Sequence, residues 1–594
     1  MKRIQRLHLR NFKAFRDQAF DFQGRHVLIY GGNGSGKSSI YWALYTLFEA
    51  SGKTEEDVSK YFADPDSEAQ SLRNVKAPAS EPAYIKLDWE DPNPPLNPRT
   101  GKPSRGDSKG KFRLEAKAGK SNVYTNRSLR EGNRSSDFVT YRLFQHFNGS
   151  NRHAVNVWPT FVRDIFPYYS IPNPLFKYPE GSDFEGEPLT FWEALGVVVD
   201  KFAAIALARE AAELAKQTAL EASEAIQEKR RLAEEQGGEF GEVEEGELAS
   251  PEAAERAQRT LDEAAIDFQN YLGNFNLELA KFVGRIAENT NNFLEHQAKL
   301  PGYAHKKIKL TLDYSATFRL NATLVQRLAA PGVKRDDWTS ILRRDRPDEL
   351  LVSLTAEMGN HTVKRPQTFL NEARLTQLAF ALRMGALLDR NPNSRLNVLC
   401  LDDVLLSLDM GNRLEVLDWL FTAKVKLSGG SKESLLKHYQ VFFLTHDQQL
   451  YELVKHYAKT RGNGADWYCA QLAWHSRTRT KQPLVLVEDD DKNNDLAHAR
   501  IHFEAGDYGA CGNYLRKVAE GYLEEFLPDE FARDSSGKFK LLDGLIQGLD
   551  KLYHLDSMEL GAADYTPFAD LMIYKKIPPE PVVSPHANTT CDAG

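Results

Sequence analysis

The run Gly31-Gly32-Asn33-Gly34-Ser35-Gly36-Lys37-Ser38 constrains this chain more than any other stretch of its 594 residues. It matches GxxxxGK[ST] in full, and its surroundings fit. The apolar run Val27-Leu28-Ile29-Tyr30 reads as a buried strand ended by glycines, and Ser38 to Ala50 reads as a helix. Glycines let a backbone curl until several N–H groups converge on one small volume, which suits phosphate oxygens. The following helix adds the positive end of its dipole. Asn33, Gly34, Ser35, Gly36, Lys37, Ser38 and Ser39 are therefore the expected nucleotide ligands. Lys37 would bridge the β and γ phosphates of ATP, and the Ser38 hydroxyl would ligate Mg²⁺.

Such a loop needs a second element, a buried strand that ends in acid. Leu399-Cys400-Leu401-Asp402-Asp403 fits. Asp402 is expected to hold Mg²⁺ through its water shell, and Asp403 to act as general base for the attacking water. An Asp reaches one methylene less far than a Glu, so slow turnover is expected. Val441-Phe442-Phe443-Leu444 reads as a further buried strand and leads into Thr445-His446-Asp447.

The rest of the chain reads as connected blocks. Residues 1–30 read as two short strands: Ile4, Leu7 and Leu9 lead into the stretch 11–15, and Phe20-Asp21-Phe22 and the run 27–30 follow. Residues 82–130 look rich in β-hairpins. A helical stretch opens near Phe191, becomes rich in Ala and Glu over 203–235, breaks at Gly237-Gly238 and resumes from Pro251 to about Ala298. Two such arms suggest a short antiparallel hairpin, each arm of ~35 residues reaching ~50 Å; a plain helical subdomain is the alternative. Strands are expected over 307–325 and at 350–354, and a helix from Asn371 to Asp389. After a solvated linker at 489–495 the pattern over 496–575 is helical, and the Pro-rich end is expected to be loose. The expected domains are 1–190, 191–300, 301–488 and 496–575, with a tail over 576–594.

Composition narrows the function classes. A net charge of −7, with 41% apolar and 27% charged residues, excludes a protein that is basic throughout, yet allows a local basic groove for DNA. Cys400, Cys469, Cys511 and Cys591 are too widely scattered for a zinc ribbon or a redox pair. With no signal-peptide pattern and no membrane-length apolar run, a cytoplasmic protein without membrane contact is expected.

Taken together, these motifs resemble the SMC, RecF and recombination-repair branch of the ABC ATPases. Leu9-Arg10-Asn11-Phe12-Lys13-Ala14-Phe15 is similar to their opening, Ser407-Leu408-Asp409 to their D-loop, and Leu444-Thr445-His446-Asp447 to their switch-histidine segment. The resemblance implies an α/β, ABC-type P-loop head with a helical coiled-coil insertion and an appended α-helical domain. It implies that His446 senses the γ-phosphate, that Asp409 lies at a nucleotide interface, and that Gln145 is the Q-loop residue near Mg²⁺. The signature should precede the acids and open a helix. Leu370-Asn371-Glu372, within Phe369 to Leu375, is placed there, with Asn371 as helix cap and phosphate donor. Leu427-Ser428-Gly429-Gly430 falls after the acids and reads as a surface turn.

A signature of this kind serves the nucleotide of another head, so the resemblance implies a homodimer closed by two ATPs. The expected role is the sensor of a bacterial anti-phage complex that licenses a separate nuclease or toxin. One alternative is a RecF-type repair ATPase on gapped or broken DNA. Another is a self-contained toxin with residues 497–526 as effector, although no Arg there is followed four to six residues later by His.

Overall fold

The computed structural model describes residues 1–94, 108–115, 119–124, 126–140, 155–182, 184–235, 251–298, 308–314, 322–328, 352–389, 394–405, 408, 410–425, 433–462, 466–473, 482–487 and 494–555, and a few single positions between 330 and 341. It divides into two units, Met1–Cys469 and Ala470–Gly594. The division falls some twenty residues before the linker at which the sequence suggested a boundary.

The first unit opens with three strands rather than two. β1 (Arg3–Phe12) turns directly into β2 (Phe15–Asp21), with Phe12 opposite Phe15, and β3 (His26–Gly31) follows. The turn is tight because Asn11 and Lys13 both take positive φ, near 47° and 46°. Asn tolerates that conformation better than most residues, whereas at Lys13 it is strained. β4 (Tyr84–Glu90) pairs with β1, and β5 (Lys109–Glu115) pairs with β4, completing an antiparallel sheet in the order β2-β1-β4-β5. Leu7, Leu9, Ile85, Leu87 and Leu114 alternate onto its buried face.

A parallel sheet is the platform of the unit. β3 pairs with β8 (Gln440–Thr445), β8 with β7 (Val398–Asp402), and β7 with β6 (Asp137–Thr140). Every residue of β7 and β8 is buried, as expected of strands covered on both faces. α1 (Lys37–Glu49) packs against this sheet through Ile40, Ala43, Leu44, Leu47 and Phe48.

Two long helices leave the head, α2 (Phe191–Glu235) and α3 (Pro251–Ala298), of 45 and 48 residues. Each spans about 70 Å, more than the sequence suggested. The difference lies at the root: Phe191, Leu195, Val198 and Val199 are buried in the head, so α2 begins inside the core before it becomes exposed. Further out, Lys201 pairs with Asp267 at 2.6 Å, and Lys216 donates to Gln258 at 2.8 Å. α4 (Glu372–Leu388) lies across the root of α3. A Cβ added at Gly385 would stand 2.8 Å from the Thr290 nitrogen, so glycine is what permits this approach.

Two local expectations are corrected. Ala322–Leu328 is helical rather than strand, with Leu324, Val325 and Leu328 buried at helical spacing. Arg127–Ser135 is a helix capped by Asn126, and its first four residues fall at the end of the stretch 82–130 read as β-rich.

In the second unit Ala470–Ala473 pairs with Leu484–Val487, and helices Asn494–Ala505, Tyr508–Phe526 and Leu542–Leu555 follow. Leu523, Leu527, Leu545, Ile546 and Leu549 form a small core. Arg516 and Glu520, inside the stretch 497–526 weighed as an effector, pair with each other at 2.9 Å, and Glu520 also accepts the Leu542 N–H. Among the described residues no helix is long and apolar enough to cross a membrane.

Candidate functional site

In a parallel sheet the chain exits every strand at the same end, so the segments after β3, β7 and β8 meet there. The register makes this concrete. Asp402 lies opposite Leu444 on one side and Thr140 on the other, and Thr445 lies opposite Tyr30, the residue immediately before the glycine run.

Gly36 caps α1 with φ near 101°. A side chain there would be strained and would press on Phe15 and Ala14, so the turn after β1 sits directly on the loop. Lys37 is buried and donates to the carbonyl oxygens of Gly31 at 2.6 Å and Gly32 at 3.2 Å. Burial pulls its ammonium below the usual lysine range, while the charges of Asp403 and Asp402 oppose that shift. Ser38 Oγ donates to Asp402 Oδ2 at 3.0 Å. Residues that the sequence keeps 364 positions apart therefore share one pocket.

Burial pushes the Asp402 carboxyl up to about 6, and the charge of Asp403 adds to this; the Ser38 hydroxyl and Lys37 work the other way. Asp403 adopts φ near 54°, an uncommon conformation for a side-chain-bearing residue, held by its own N–H to the Leu444 carbonyl at 3.0 Å. Its Oδ1 accepts the His446 backbone N–H at 3.0 Å, and its Oδ2 lies 3.0 Å from His446 Nδ1. The left-handed kink turns the second acid out of line with the strand and onto the histidine turn.

These residues suit a magnesium-bound triphosphate. The Ser35 hydroxyl and Asp402 Oδ1 are buried and make no hydrogen bond within the described protein, so a donor and an acceptor beside the loop are left for a ligand. The carboxylate and hydroxyl of Asp402 and Ser38 are hard oxygen ligands of the kind Mg²⁺ prefers. Ser39 is placed differently: its hydroxyl accepts the Ala14 N–H at 3.3 Å and is buried, bracing the turn rather than lining the pocket.

The expected signature turn sits where helix α4 begins. Asn371 is its N-cap, with its side chain accepting the Arg374 N–H at 3.0 Å, and both Asn371 and Glu372 are exposed. Leu370 is half-buried against the core, whereas Phe369 projects into solvent, 65% exposed. Among the described residues, none of the hydrogen bonds or ion pairs of Lys37, Ser38, Asp402, Asp403 or His446 reaches 370–372. Gln145, Asp409 and the stretch 427–430 lie outside the described residues.

Comparison with known families now bears on this geometry. Residues 6–259 match the family model described as AAA domain. That stretch is similar to an AAA domain. The match takes in the P-loop and all of α2 but only the first nine residues of α3, so the acids and His446 lie outside it. The resemblance to SMC/RecF-like ABC-type ATPases stands on that domain and on the meeting of the motifs at one end of the sheet. Among solved structures, the Smc head domain with an extended coiled coil bound to the C-terminal domain of ScpA, from Pyrococcus furiosus, is 14% identical, with 82% of this chain and 97% of that one covered at a TM-score of 0.36. The ATP complex of the recombination mediator RecF is 12% identical, with 82% and 98% covered at a TM-score of 0.35. Overlays this loose carry nothing about the site. No curated protein matches the chain.

Two side chains near this cluster went unassigned in the sequence. Lys13, in the turn that leans on Gly36, stands 5.5 Å from the Trp42 ring centre, one turn into α1; burial lowers its ammonium. The turn residues N-F-K-A-F between two strands were the signal for it. The other is Arg413, on α5 (Met410–Thr422), whose partners lie on segments no spacing rule connects.

Proposed function

We propose that this protein binds and hydrolyses ATP with Mg²⁺ and works as a dimer whose two heads close on two nucleotides. The observation that carries the reading is the cluster Lys37, Ser38, Asp402, Asp403 and His446, gathered at one end of the parallel sheet, where Ser35 Oγ and Asp402 Oδ1 are buried without a hydrogen-bond partner among the described residues. Lys37 would neutralise the β and γ phosphates and Ser38 and Asp402 would hold Mg²⁺, which supplies charge stabilisation for phosphoryl transfer. Asp403, held in place by the His446 turn, would orient the attacking water. Asn371 sits at an exposed helix N-terminus outside that polar cluster, which supports its use against the γ-phosphate bound by a second copy. The crossing of α4 on the root of α3 supports transmission of closure to the helical arms.

The biological role we favour is a sensor in a bacterial anti-phage complex, controlling a separate nuclease or toxin. Support comes from a signature turn without glycines at its core, Asn371-Glu372-Ala373, and from the appended helical unit, whose Arg516–Glu520 pair is engaged structurally. The deciding experiment is the ATPase rate of wild type and Lys37→Ala, each with and without gapped DNA. Turnover lost in Lys37→Ala supports the ATPase; rates equal and near zero in all four conditions overturn hydrolysis. Strong stimulation by gapped DNA would move the role to a RecF-type repair ATPase.

A further inference from the structure

We propose that Arg413 is a positioning residue that locks the turn after the two acids to the turn that carries His446. Its catalytic consequence rests on the ATPase reading above; its structural consequence does not. Arg413 is 9% exposed. Its Nε donates to the Leu405 carbonyl at 3.1 Å and the Leu408 carbonyl at 2.9 Å, in a turn that the Leu408 N–H already closes onto the Leu405 carbonyl at 3.2 Å. Its Nη1 donates to Asp447 Oδ2 at 2.5 Å. Asp447 in turn caps α6 (Gln448–Arg461), accepting the Leu450 N–H at 3.1 Å. One planar cation thus spans two segments, each within two residues of a proposed catalytic group: Leu405 follows Asp403, and Asp447 follows His446.

Chemistry explains why arginine occupies the position. A guanidinium offers several donors in one rigid plane, so it can serve two carbonyls and a carboxylate together; an ammonium is a point charge on a flexible stem. Burying the pair costs desolvation, and an apolar contact would stabilise the core as well. What the pair adds is geometry. Asp403 is already tied to the His446 turn through its backbone and side chain, and Arg413 closes the same connection from behind. Through Glu415 the same helix also accepts the Gln377 amide of α4 at 2.6 Å. The acid turn, the histidine turn and the signature helix are therefore referred to one element.

The test uses full-length protein with Arg413→Gln, Arg413→Lys and Asp447→Asn, the last keeping a capping side chain. Steady-state kinetics should show kcat about tenfold lower in Arg413→Gln with KM for ATP within about twofold, and partial rescue in Arg413→Lys. Hydrogen exchange without nucleotide should show peptides spanning Asp403–Leu405 and His446–Leu450 losing protection together in Arg413→Gln, with the β3 peptide unchanged. Wild-type kcat in Arg413→Gln, or loss of protection at one segment only, overturns the proposal. Global loss of protection overturns it too, in favour of a general stabilising role. Should the wild type neither bind nor turn over ATP, the ATPase reading fails, and the exchange result alone decides whether Arg413 couples the two turns.

Discussion

Ser38 Oγ and Asp402 Oδ2 lie 3.0 Å apart across 364 residues of chain. That contact turns two sequence motifs into one pocket, because a hydroxyl and a carboxylate at this distance can share a single metal ion. It also ties the two halves of the first unit together across the helical arms. The predictions below test that pocket and the elements that hold it.

Asp402→Asn should stabilise the empty head at neutral pH. The folded carboxyl is pushed to about 6 from an ordinary 3.8, so the fold favours its protonated form. Below 3.8 the group is neutral in both states and the substitution changes little. As pH rises from 3.8 to 6 the unfolded chain releases the proton first, and the cost of burying the anion grows to at most about 3 kcal/mol and stays above pH 6. Thermal unfolding from pH 5 to 7.5 should show the variant's advantage widening with pH; an advantage that shrinks contradicts the buried-anion account.

Gly36→Ala should lose nucleotide affinity and some stability. At φ near 101° an alanine is strained by about 1–2 kcal/mol, and its methyl would stand 3.0 Å from the Phe15 ring. Gly32→Ala is the control, since its added Cβ meets nothing within 4 Å. Equal thermal midpoints for the two variants would refute this use of the glycine.

Arg383 on α4 and Asp137 on β6 form a buried ion pair, with Nε 2.9 Å from Oδ2. Arg383→Leu should cost about 3–5 kcal/mol because it strands a carboxylate, whereas replacing both partners by apolar residues should cost less. Denaturant titration of single and double variants checks this. Single variants that unfold like wild type would show that the pair does not hold α4 to the sheet.

Lys37→Ala and Asn371→Ala should each abolish turnover alone and complement each other when mixed. Half the dimers would be mixed, and each would hold one intact pairing of Lys37 with the other chain's Asn371, giving about a quarter of wild-type activity. Activity that stays at zero on mixing, with both variants folded, would mean that each head works by itself.

Much of this architecture was legible in the residues. The glycine loop announced a strand, a tight turn and a helix, and the structure has them at His26–Gly31 and Lys37–Glu49. The run Leu399 to Asp403 announced a buried strand ending in acid, because only a strand covered on both faces is so uniformly apolar. Asn371 was legible as a helix cap, since its side chain can satisfy a free N–H. Local geometry was harder. The helix at Ala322–Leu328 carries β-branched residues that suit either state, and the conformations of Lys13 and Asp403 leave no trace in residue type.

By itself, then, the chain determined which segments are strands and helices and which residues can meet a phosphate, because spacing and side-chain chemistry act over a few residues. Tertiary structure alone decided that Asp402 faces Ser38, that Ser39 braces the Ala14 turn, and that one arginine on α5 bonds both the turn after the two acids and the turn after His446. Apart from the Arg413 bonds to Leu405 and Leu408, those contacts join positions tens to hundreds of residues apart. They depend on strand order and helix crossing, for which no local pattern carries a record.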